Sequence, residues 1–197
     1  MRGVIKIGVE PVNRAFLTKL HLIAAALMFP AVLMFLVTGA LYTWGNKGEW
    51  HEQTVQVPLE QPLATADETA LKAIALATLT DQGLPAPSGK AEVKGEGDEI
   101  SLTWTGARSE ASVTATEDPL VAEVATKEAS LHRWLVQLHK AKGSTAFKVY
   151  ATALAVVLFL LVLSGVIMGL QVKALRRMTI ASSAIGAVAF VGFVALG

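Results

Sequence analysis

The sequence contains no cysteine. That excludes an iron–sulfur cluster, a heme attached through Cys-x-x-Cys-His, a thiolate zinc site and any disulfide, so whatever is bound sits on nitrogen or oxygen ligands. Charge is scarce too, at 17% of residues against 53% hydrophobic, and the scarcity is concentrated. Three runs, Leu20 to Trp44, Val149 to Val172 and Met178 to Leu196, hold no Asp, Glu, Lys or Arg, which leaves a proton relay or an ion pathway nothing to run on. A phosphate-cradling glycine loop ending in Lys-Ser/Thr is missing, as is a nucleophile elbow, and the acidic residues outside the runs form no metal-like cluster. Transport, hydrolysis and nucleotide use are therefore disfavoured, and no nucleic-acid partner is expected. A flavin or nicotinamide domain is also lacking, so electrons passing through this chain would have to come from quinol or a redox partner.

What is present is apolar length. The first run covers 20–44, enough for roughly 37 Å of helix at 1.5 Å per residue, and the second covers 149–172. The third, 178–197, is shorter and rich in Ala, Ser and Gly, near the lower limit for a span. We expect three transmembrane helices, in contact with lipid. Arg2, Lys6, Arg14 and Lys19 against a lone Glu10 mark 1–19 as cytoplasmic, and Lys173, Arg176 and Arg177 mark the short loop 173–177 likewise. Residues 45–130 carry six basic against fifteen acidic side chains, a formal charge of −9, and belong outside. The charged leader is long, the first apolar run exceeds a signal peptide's, and no Ala-x-Ala site follows, so the first span reads as a retained anchor.

The external segment 45–130 has room for one small α+β domain. Thr65-Ala66-Asp67-Glu68 reads as a capping box that opens an amphipathic helix with Leu71, Ile74, Ala75 and Leu79 on one face, ending near Gly83 and Pro85. That helix is expected to begin the domain. Alternating runs Ala91-Glu92-Val93, Ile100 to Trp104 and Ala111 to Ala115, with a further one from Val121 to Ala125, predict antiparallel strands joined by tight turns. Residues 131–148 are expected to form one amphipathic helix at the membrane surface.

Four histidines are the candidate ligands. His132 and His139, seven residues apart, share one face of a helix about 10 Å apart. His21 stands at the start of the first span, and His51 lies between Trp50 and Glu52 in a polar loop. A neutral imidazole near a bilayer is a ligand for metal or heme iron, or else an interfacial side chain. Arg133, Lys140, Lys142 and Lys148 form a basic collar beside His139, suited to headgroups or to propionates. Trp44, Trp50, Trp134, Tyr42 and Tyr150 are expected to form an external aromatic belt. Pro30 interrupts the first span and frees the Ala26 carbonyl. Gly165 and Gly169 make a GxxxG element, and Ser182 with Gly186 repeats small-xxx-small spacing. Both suit packing within the chain or a homodimer.

The order helix, strand, Gly-rich turn, strand, turn, strand and the acidic turn Thr116-Glu117-Asp118-Pro119 resembles the PepSY domain. The flanking helices resemble the PepSY-associated transmembrane proteins. The pieces that carry this are Lys19-Leu20-His21, Val37-Thr38-Gly39-Ala40-Leu41, Leu131-His132-Arg133 with Leu138-His139, and Leu163-Ser164-Gly165. Family members include inner-membrane proteins linked to reduction of ferric siderophores, some of which bind b-type heme through membrane histidines. The resemblance therefore implies a bacterial inner-membrane protein with its soluble domain in the periplasm, and heme b on His139, His132 or His21. The chain departs from larger members in having three spans rather than four or more. By this reading His21 and His139 lie about a bilayer apart, ~30 Å, and cannot share one iron. His139 or His132 could pair with His51, or equivalent histidines of two chains could meet across a two-fold axis. The alternative is a non-catalytic anchored module whose PepSY domain binds or regulates an envelope protein.

Overall fold

The computed structural model describes residues 13–197; the expected cytoplasmic charges Arg2, Lys6 and Glu10 lie outside the described residues. The order of elements is α1 (Arg14–Thr43), β1 (Trp50–Pro58), a short 3-10 turn (Leu63–Thr65), α2 (Glu68–Asp81), β2 (Ala91–Lys94), β3 (Ser101–Trp104), β4 (Ser109–Ala115), β5 (Val121–Ala129), α3 (Leu131–His139), α4 (Thr145–Gln171) and α5 (Lys173–Leu196). Among the described residues α1, α4 and α5 are long and apolar enough to cross a membrane. Their Leu, Ile, Val and Phe side chains are largely exposed, a pattern stable only in hydrocarbon. α1 is unbroken across Pro30.

The chain divides into two compact units, residues up to Pro30 with Ala153–Gly197, and Ala31–Thr152. The second unit contains an antiparallel sheet ordered β1-β5-β4-β3-β2. α2 lies on one face, sealing Leu71, Ala75 and Leu79 against Leu102, Val113 and Val124. Each of these leucines and valines stabilises the fold by about 1.5–3 kcal/mol through burial. On the opposite face the register sets Glu52, Lys127 and Glu110 side by side across β1, β5 and β4, and Lys127 pairs with Glu52.

The structure departs from the sequence expectations in four places. The domain opens on β1, not on the helix. The α2 cap is Asp67, whose side chain accepts from Ala70 N at 2.8 Å; the Thr65 hydroxyl is instead spent on the Pro62 carbonyl. The stretch 131–148 is divided, because α3 stops after His139 with Ala141 left-handed at φ 57° and Ser144 caps α4 through Phe147 N. The segment 173–177 is helical, since Lys, Ala, Leu and Arg are good helix formers and neither Gly nor Pro intervenes; only Val172 separates α4 from α5. Trp50 and Trp134 lie beneath the Arg133 and Arg108 guanidiniums, at 5.2 and 5.5 Å.

Candidate functional site

In the unit holding Ala31–Thr152, α3 ends on His139, and the side chain meets the C-terminal half of α1. Its Nδ1 is 2.9 Å from the Thr38 hydroxyl. Thr38 is buried at 2% exposure, and its own proton is committed to the Met34 carbonyl at 2.7 Å, the back-bond open to a hydroxyl inside a helix. The hydroxyl can therefore only accept from His139, which assigns the proton to Nδ1 and leaves the lone pair on Nε2. The Phe35 ring stands 5.0 Å from the imidazole. Gly39 completes the cradle, because a Cβ there would come within 3.1 Å of His139 Cε1.

The other unit contains the same device. His21 Nδ1 is 2.9 Å from the Ser164 hydroxyl of α4, and Ser164 donates to the Leu161 carbonyl at 3.0 Å. With its proton directed to Leu161 O, the hydroxyl is an acceptor for Nδ1–H, the tautomer that leaves the lone pair on Nε2. Gly165 supplies the open space, with a virtual Cβ 3.8 Å from His21 Cε1. An apolar groove of about 410 Å³ surrounds the ring, walled by Leu17, Leu20, Ala24, Val157 and Leu161.

An imidazole whose Nδ1–H is held by a fixed acceptor is oriented for ligation through Nε2, the arrangement typical of metal-bound histidine. Both donors are nitrogen and set beside apolar or aromatic walls, which suits the flat face of a porphyrin. Among the described residues no three His, Asp or Glu side chains gather as a metal site.

The remaining candidates sit elsewhere. His132 lines a cavity with the 45–49 turn and Ser130, and its buried Nε2 has no hydrogen-bond partner among the described residues. His51 is exposed on β1, in register with Glu128 of β5. In the collar, Lys140 approaches the Tyr42 ring at 5.5 Å, as does Lys47 from the 45–49 turn. GxxxG serves contacts within the chain, Gly165 facing His21 and Gly169 facing Thr179. Sequence reasoning missed the roles of Thr38 and Ser164. The available signal was a hydroxyl followed by glycine inside an apolar span, twice.

Glu110 is the one described group outside the spans whose acidity is visibly shifted. Burial raises its carboxyl above the ordinary 4.5, against the opposing pull of Lys142, Lys127, Arg133 and Lys140.

A family model described as the PepSY-associated TM region matches residues 13–191. No curated protein and no solved structure matches the chain.

Proposed function

The chain belongs to the PepSY-associated transmembrane family, and on that premise we propose that it is an inner-membrane, heme-b-binding protein that passes electrons to a periplasmic acceptor, with ferric chelates as the acceptor class. The observation that carries this reading is the repeated one: His21 and His139 each hold Nδ1 against a hydroxyl that is already donating, and so present a basic Nε2.

A b-type heme supplies a one-electron couple when bound. The protein's part is to ligate, orient and keep dry. His21 and His139 would hold separate hemes, each shared with the equivalent histidine of a second copy. Thr38 and Ser164 fix the tautomers, and Gly39 and Gly165 leave the rings room. Lys140 follows His139 directly and has no carboxylate partner among the described residues, which supports a role as counter-ion to a propionate.

Reduced-minus-oxidised spectra of the purified protein, with a pyridine hemochrome count, test the reading. A b-type α band is expected. His139→Ala and His21→Ala should each remove part of the heme while the protein still inserts. A colourless protein expressed with ample heme would leave the family's other reading, an anchored module that binds an envelope partner.

A further inference from the structure

β1 is one edge of the sheet and pairs with β5 over nine residues in unbroken register. Which of its backbone groups face outward can be read from its two ends. Ser130 N donates to Glu49 O at 3.0 Å, and Leu59 N donates to Leu120 O at 2.7 Å. In an antiparallel ladder this parity makes the odd-numbered residues bond to β5 and turns the even-numbered ones outward. The outward set is Trp50, Glu52, Thr54, Gln56 and Pro58, of which only the last lacks an N–H.

The edge is also unprotected. Seven of its nine residues are exposed, and α2 packs over β3, β4 and β5. Sheets usually blunt an edge with a short strand, a lysine, a proline or a bulge. β2, at the other edge, is four residues long and ends in Lys94; β1 carries none of these devices before Pro58. Where β1 ends, an apolar groove of about 640 Å³ opens, walled by Val57, Leu59, Leu63, Ala70, Ile74 and Ala77, with Glu60 and Asp67 in its wall and no cation.

We infer that β1 and this groove form a strand-addition site for an extended segment of another protein, apolar at alternate residues and basic at its N-terminal end. Added antiparallel, such a segment takes its main-chain bonds from the outward set. Its alternate side chains cover Val55 and enter the groove, and its basic end meets Glu60 and Asp67. A second copy of this chain fits less well: two β1 strands paired about Thr54 set Gly48 of one opposite Glu60 of the other, so no basic side chain stands directly across from that carboxylate. The inference does not depend on heme.

The test uses the full chain in phosphatidylcholine nanodiscs and a labelled peptide, acetyl-Lys-Lys-Val-Thr-Val-Thr-Val-Thr-Val, read by fluorescence polarisation. Saturable binding is expected. Thr54→Pro removes an outward N–H and leaves the β5 ladder whole, so it should weaken binding about tenfold or more, through lost bonds at Thr54 and its neighbours. N-methylating the peptide amides that face β1 should do the same, while methylating the alternate set should not, a comparison that needs no variant to fold. Binding no tighter than to empty nanodiscs, or equal for wild type and Thr54→Pro, overturns the site. A dimer formed without peptide and lost in Thr54→Pro would give the edge to a second copy and also overturn it.

Discussion

Thr38 accepts a hydrogen bond from His139 Nδ1 at 2.9 Å while donating its own proton to Met34 O at 2.7 Å. The relay is one-way. The α1 backbone fixes the hydroxyl, the hydroxyl fixes the imidazole tautomer, and the tautomer decides which nitrogen is free to bind iron.

Thr38→Val keeps the shape of the side chain and removes the acceptor. Heme affinity at the His139 site should fall about 10–100-fold, read by heme titration with His21→Ala as background. Thr38→Ser should retain the affinity. Equal affinity in the Val and Ser variants would show that the hydroxyl does not orient the ring.

Gly39→Leu puts a bulky side chain where even a Cβ stands 3.1 Å from His139 Cε1. The imidazole must swing away, so the His139-dependent heme signal should be lost while Gly165→Ala, at an ordinary 3.8 Å from His21, leaves the other nearly intact. Retention of both signals in Gly39→Leu would mean the ring is not held against α1.

Gly169→Ala should cost about 1–3 kcal/mol by overpacking, since the new methyl meets the Thr179 side chain. Thermal unfolding in detergent reads it, and adding Thr179→Ala should restore much of the loss. Additive losses in the double variant would contradict the contact.

Glu110 sets the sign of a pH effect. Its folded carboxyl titrates above the unfolded value because burial disfavours the charge, so the folded state holds the proton more tightly. The associated stability is present below the unfolded value and is lost as pH rises through the folded one. Melting curves of Glu110→Gln should lack that loss, making the variant the more stable at neutral pH relative to wild type than it is in acid. Parallel profiles for the two proteins would contradict it.

The legibility of these features followed from their physics. The three spans and the strands β2 to β4 were readable because each carries a pattern of its own, long apolar runs or alternation against a core. β1, Trp-His-Glu-Gln-Thr-Val-Gln-Val-Pro, carries little such pattern because seven of its nine residues are exposed and Val57 alone packs against the core, so period-two reading had little to detect. His21 and His139 stood out by rarity. Their partners did not, because a serine or threonine inside a span reads as packing until the facing helix supplies the imidazole. The split between α3 and α4 was written in Gly143 and Ser144, signals that the amphipathic pattern around them obscured.

The most direct measurement is heme per chain, by pyridine hemochrome, in wild type, His21→Ala, His139→Ala and the double variant, each purified from the membrane after expression with ample heme. The account predicts a b-type spectrum in wild type, a partial and separate loss in each single variant, and none left in the double. Wild-type protein without heme, or heme that survives in the double variant, would contradict it.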